Sequence, residues 1–260
     1  MTVHWTDEAR AKVIARRGHG EARGEKMAKA KLVAGVKLAA KDVPGTGYEA
    51  NQVEFRWEQL RDALACAPKA DYEAALDAAR AMWPKQTDLV PRCALAFAFP
   101  DEADWAESAT RALVDQIKKQ KGKISPYEVG VAMLGAVAVP ELQTALAKAA
   151  AAKRIAIYAL TNQIATMVDL TGEAAAEGLA ALLATAPSND HKKTYAEALA
   201  MIESETAALA LAGALAQKTV MPIAKAYLEQ FPALAKAALG KIAKGSTTSA
   251  PIASQMLRAL

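Results

Sequence analysis

The residues that could do chemistry are few and scattered. The chain carries three histidines, His4, His19 and His191, and no two stand three or four positions apart. A zinc site needs three or four convergent ligands, so they do not form one by spacing. His191 lies in Asn189-Asp190-His191-Lys192-Lys193, a polar helix start, and is expected to be solvated. The two cysteines, Cys66 and Cys93, form no CxxC pair and have no neighbouring histidine, which argues against metal binding by them. Gly18-His19-Gly20 followed by Gly24-Glu25-Lys26 imitates a phosphate loop. It lacks the preceding strand, the G-x4-G-K spacing and the Ser or Thr after the lysine, so a glycine-containing turn is expected.

Asp101, Glu102 and Asp104 beside Trp105 could offer paired carboxylates next to an aromatic platform. Helix physics explains the same group, since carboxylates suit the positive end of the macrodipole and the indole suits the helix core. The basic candidates are Arg16 and Arg17, the run Lys118, Lys119, Lys121 and Lys123, and the pair Lys241 and Lys244. They could contact nucleic acid or an acidic partner. The lysine clusters also fall where helix C-termini favour cations, and no aromatic residues interleave with them as a base-stacking platform would require. No nucleophile–base pair is legible, because Ser and Thr fall mostly at cap positions. No catalytic, cofactor or metal residue is assigned, and a non-enzymatic role is expected.

The elements that must carry these residues are helices. About a quarter of the 260 residues are Ala, the strongest helix former, and no stretch alternates with the period of a strand. An all-α fold follows. A phrase recurs in it: a hydrophobe and Pro open a short helix, and a second Pro closes it. Val90-Pro91 runs to Phe99-Pro100, Met221-Pro222 runs to Phe231-Pro232, and Val139-Pro140 is a weaker copy. Repeated helix pairs with short connections predict an α-solenoid of HEAT-like antiparallel hairpins. Trp57, Trp83, Trp105, Phe97, Phe99, Tyr227 and Phe231 are expected to anchor its Ala-rich core.

Residues 1–50 read as a basic helical leader or cap, and 51–260 as the solenoid. Within the latter, Asp71 is expected to cap one helix, which ends at Trp83-Pro84. Further helices are expected over 91–99, 140–151, 153–169, 172–186, 203–217, 222–230, 232–243 and 249–260. Two are expected to open on Ser125-Pro126 and on Ser188-Asn189-Asp190. The pattern is still running at Leu260, which suggests a stack continued elsewhere. The formal charge of +4 is mild and concentrated toward the ends. The start lacks the apolar run of a signal peptide, and the longest apolar stretch is half a membrane span. A cytoplasmic protein with reduced thiols is the expectation.

Two stretches carry a family likeness. One holds Leu60-Arg61-Asp62-Ala63-Leu64, Asp71-Tyr72-Glu73-Ala74-Ala75, and the run from Ala94 through Phe99-Pro100-Asp101 to Trp105. The other is Ala224-Lys225-Ala226-Tyr227-Leu228-Glu229-Gln230-Phe231-Pro232-Ala233-Leu234, with Met256-Leu257-Arg258-Ala259-Leu260. Both resemble the HEAT-like helical region of large bacterial proteins in the WGR-domain, molybdate-metabolism-regulator-like group. The resemblance implies a helical scaffold and transfers no catalytic residue. The chain has no Trp-Gly-Arg signature, so a nucleic-acid role resting on a WGR domain does not carry over. The expected function is a scaffold for a protein partner, with no small-molecule substrate and no membrane. The alternatives are a nucleic-acid-binding solenoid, with a link to DNA repair, or an immunity or regulatory protein.

Overall fold

The structure is a computed structural model, and it describes residues 60–61, 63–119, 131–155 and 160–259. The expected leader over 1–50, Trp57, and the helix start at Ser125-Pro126 lie outside the described residues, as do Arg16, Arg17, Lys121 and Lys123. Every regular element among the described residues is helical. In chain order the α-helices are α1 (Lys69–Met82), α2 (Leu89–Ala98), α3 (Ala103–Lys119), α4 (Pro140–Ala152), α5 (Leu160–Thr171), α6 (Ala175–Thr185), α7 (Asn189–Ala200), α8 (Glu205–Gly213), α9 (Met221–Gln230), α10 (Pro232–Ala243) and α11 (Ala250–Ala259). Short 3-10 turns cover Trp83–Lys85, Val131–Gly135 and Gly172–Ala174. Among the described residues no helix is long and apolar enough to cross a membrane.

Local chemistry sets most boundaries. Both full copies of the proline phrase end the same way. Phe99 and Phe231 leave the helix at φ −118°, ψ 77° and φ −121°, ψ 69°. Each still donates its N–H four residues back, to the carbonyls of Leu95 and Tyr227. The following proline disfavours the α conformation at that position, and both phenylalanines leave the helix there. Ser188 caps α7 by accepting from His191 N–H, as expected.

Several boundaries differ from expectation, among them the start of α2 at Leu89 rather than 91 and the end of α8 at Gly213 rather than 217. Pro68, not Asp71, precedes α1, and Asp71 sits inside the first turn. Proline supplies a helical φ one turn earlier than the carboxylate could cap. Ser204 caps α8 through Ala207 N–H, so that helix opens at Glu205, two residues after the expected start. Lys153 begins no helix. Arg154 takes φ 53° and Ile155 N–H returns to Ala150 O, a left-handed C-terminal stop made without glycine. At Gly172, φ 57° breaks the chain direction between α5 and α6, and a 3-10 turn precedes the α-helix.

The described residues fall into two compact units, one of 60–113 with 131–136 and one of 114–119 with 137–259. In the first, Leu64, Ala79, Phe97, Phe99, Trp105, Leu113 and Leu134 are buried together. In the second, the helices pack in a regular order. α4 lies against α6, α6 against α8, and α8 against α10; α5 lies against α7, and α7 against α9. Consecutive helices also touch, and α11 covers α10. Small residues permit the close approach: Ala147, Ala150, Ala176, Ala207, Ala208 and Ala212 are fully buried.

Buried polar side chains tie this order together. Gln143 on α4 donates through Nε2 to Val137 O and Met167 O, and its Oε1 accepts from Thr171 Oγ1. The Tyr227 hydroxyl on α9 donates to Ile202 O at 3.0 Å and accepts from Ser204 N–H at 3.3 Å, holding the turn between α7 and α8. Ser249 donates to Gly213 O at 2.7 Å and accepts from Ala216 N–H at 3.0 Å. The Ser249 link occupies Gly213 O, a carbonyl that the end of α8 leaves without an internal partner.

Candidate functional site: an arginine–tryptophan stack

The densest group of chemically capable side chains lies in the first unit, at the junction of α1, α2 and α3. Helix α1 ends at Met82 because Pro84 follows, and the 3-10 turn it forces sets Trp83 at the helix end. The indoles of Trp83 and Trp105 are stacked, with centroids 4.5 Å apart and planes 6° from parallel. On α2, the Arg92 guanidinium carbon stands 4.5 Å from the Trp83 ring centroid. Below, Phe99 meets Trp105 edge-on at 6.3 Å, and Tyr72 packs on Phe99 at 5.9 Å. The result is a column that runs from a buried phenylalanine to a half-exposed arginine.

This corrects the expectation for Trp83. It is half-exposed, not a core anchor, while Trp105 is buried at 7 % exposure. Phe97, Phe99 and Tyr227 are buried as expected, and Phe231 is half-exposed.

The acidic group divides by position. Helix α3 starts at Ala103, so only Asp104 lies in its first turn. Asp101 and Glu102 occupy the preceding turn and reach α1 instead. Tyr72 Oη donates to Asp101 Oδ2 at 2.8 Å. Arg80 donates through Nε and Nη2 to Glu102 Oε1, and this hydrogen bond raises the guanidinium further above its ordinary pKa. Asp101 Oδ1 is buried without a hydrogen-bond partner. It borders a cavity of about 20 Å³ lined also by Arg61, Leu64, Tyr72 and Pro100, room for one water-sized molecule. These carboxylates serve packing between α1 and the α2–α3 turn, a role that helix-dipole reasoning missed. No local signal marks it, since the matching Phe231-Pro232 leads straight into α10.

The unpaired member is Arg92. Arg80 and Arg111 each meet a carboxylate, Glu102 and Glu107. Among the described residues Arg92 meets none; its side chain makes one long hydrogen bond, from Nη2 to Ser108 Oγ at 3.3 Å, and its Nε is buried without a partner. Sequence reasoning passed over Arg92. Its neighbours Pro91 and Cys93 drew attention only as a boundary and a thiol.

In the second unit, the starts of α4, α6 and α8 border an open cleft of about 460 Å³ lined by Glu141, Thr144, Glu173, Glu177 and Thr206. Glu177 pairs with Lys148. Carboxylates at helix starts follow the macrodipole. The basic candidates occupy the opposite kind of position. Lys118 and Lys119 are exposed in the last turn of α3, Lys241 in the last turn of α10, and Lys244 is its C-cap. His191 is half-buried, not solvated: its Nδ1 stands 2.8 Å from Ser188 Oγ, and its Nε2 is buried without a partner. Of the thiols, Cys66 is exposed, and burial pushes Cys93 up to about 12. Among the described residues no three His, Cys, Asp or Glu side chains are placed to share a metal ion.

No protein-family model matches the chain, and neither a curated protein nor a solved structure matches it.

Proposed function

We propose that this chain is a non-enzymatic HEAT-like α-solenoid that serves as a cytoplasmic scaffold for a protein partner. The observation that supports the reading is the packing order of the second unit, where alternate helices lie against each other and consecutive helices touch. Stacked hairpins of this kind bury a continuous core between repeats and leave long helical faces for macromolecules. The resemblance to the helical region of the WGR-domain group agrees with this architecture, and in that group the array is an accessory to other domains. An immunity or regulatory protein would be a special case of the same reading.

The competing reading is a nucleic-acid-binding solenoid. It draws on the exposed Lys118, Lys119, Lys241 and Lys244. These occupy positions that helix C-termini favour on their own account, and the cleft of the second unit is lined by carboxylates that repel phosphate. The protein reading is therefore preferred.

The test is affinity capture from the source cells, followed by re-binding of the recovered protein, purified, to the purified chain. A saturable isotherm of simple stoichiometry is expected. The reading is overturned if no recovered protein re-binds while duplex DNA does, with an affinity that falls about tenfold or more per threefold rise in salt, as several phosphate contacts require.

A further inference from the structure

We infer that the Arg92–Trp83 stack is the partner-docking point of the first unit, and that it receives a carboxylate from an acidic segment of the partner. The inference rests on the protein-scaffold reading and adds to it a place and a chemistry. Three observations combine. The guanidinium is fixed, because it lies on an indole that is itself stacked on a buried indole. It is partly stripped of water, with Nε buried and unpartnered. Among the described residues it has no counter-charge, although the arginines at 80 and 111 each have one.

An arginine in that condition is an unfinished ion pair. Stacking on an aromatic ring holds the guanidinium plane in place, so little rotamer freedom is lost when a second group binds. A carboxylate fits the remaining donors in a charge-assisted contact, which is stronger where water is already partly excluded. Arginine and tryptophan together are the residues most enriched at the energetic centres of protein interfaces. The geometry selects the source of the anion. A phosphate backbone binds through a run of cations, whereas the stack presents a single guanidinium, Arg92. A carboxylate needs only that one planar set of donors.

The experiment uses the full chain, isotopically labelled, and a capped hexaglutamate peptide as the probe. The four tryptophans give separate indole N–H signals, and Trp83→Phe identifies the one at the stack. Titration at about 50 mM salt should shift the Trp83 indole signal saturably, whereas a hexaglutamine peptide and duplex DNA should leave it in place. Arg92→Gln should weaken the peptide by about tenfold or more, the worth of one charged hydrogen-bonded contact. Arg92→Lys, which keeps the charge and loses the planar fork, should fall between. Lys225→Gln, an exposed cation of the second unit, should bind as the parent chain does. Unchanged far-ultraviolet circular dichroism of the variants confirms that the fold is kept.

The inference is overturned if the peptide does not shift Trp83, if Lys225→Gln weakens it as much as Arg92→Gln does, or if duplex DNA shifts Trp83 more than the peptide. A captured partner that binds Arg92→Gln and the parent equally also overturns it and leaves the scaffold reading standing. Failure of any protein to re-bind removes the scaffold reading itself.

Discussion

Gly178 offers a sharp test of how the helices of the second unit pack. It lies inside α6, facing α4 and α5, and a Cβ added there would stand 2.9 Å from Ala147 Cβ and 2.9 Å from Met167 Cε. Gly240, inside α10, would place a Cβ with nothing within 4 Å. Helix propensity is common to both sites, and Gly→Ala alone should stabilise a helix interior by about 0.5–1 kcal/mol. Gly240→Ala should show that gain. At Gly178 the gain is opposed by overpacking, which costs about 1–3 kcal/mol in a close-packed core. The methionine end can rotate away, but Ala147 Cβ is fixed to the backbone of α4, so the two helices must separate. The overpacking term wins, and Gly178→Ala should destabilise by about 1 kcal/mol, some 2 kcal/mol below Gly240→Ala. Adding Ala147→Gly removes one of the two contacts and should give a favourable coupling of about 0.5 kcal/mol or more. Urea unfolding, read locally by hydrogen exchange of the α6 amides, measures all three. Equal stabilisation by Gly178→Ala and Gly240→Ala would refute the close approach of α4 and α6, and with it the stacking order.

Tyr227→Phe removes a hydroxyl that bridges Ile202 O and Ser204 N–H, and should cost about 1–2 kcal/mol, with faster exchange in the α7–α8 turn. Burial raises the Cys93 thiol from 9.0 to about 12 and raises Tyr195 in the same direction. The unfolded chain then loses these protons first, so stability is intact below the unfolded values and declines as pH rises toward the folded ones. For Cys93 the slope is about 1.4 kcal/mol per pH unit above about 9, and Cys93→Ala should remove that part of the decline in urea midpoints. A disulfide-exchange reagent should label Cys66 rapidly in the native protein and Cys93 only on unfolding; equal rates would contradict the burial of Cys93. Trp83→Ala should cost about 2 kcal/mol, less than the 3–5 kcal/mol of a fully buried ring, because that side chain is half-exposed.

What could be read without coordinates was local. The all-helical class, the stops at Phe99 and Phe231 and the cap at Ser188 each depend on residues within one turn of each other. Proline geometry and a hydroxyl beside a free N–H act over that distance. The cap at Ser204 is equally local, a hydroxyl three residues before the N–H of Ala207 that it accepts from. The stop at Arg154 was not legible, because a left-handed arginine has no compositional mark.

The site was hidden for a different reason. Arg92, Trp83 and Trp105 come from three helices, and nothing in their spacing shows that one guanidinium and two indoles share an axis. Asp101 and Glu102 have the composition of a helix start, yet they reach back to Tyr72 and Arg80, 29 and 22 residues away. Burial is likewise a property of the packed state, and it separates Cys93 from Cys66 and Trp105 from Trp83. Local residue chemistry makes the described chain helical and sets where most helices begin and end, because φ restriction and capping are settled within a few residues. Packing alone set which helices lie against each other, where an added Cβ has no room, and which arginine lies on a tryptophan with no counter-charge among the described residues. Those outcomes depend on contacts between distant residues, and they exist only once the helices are packed.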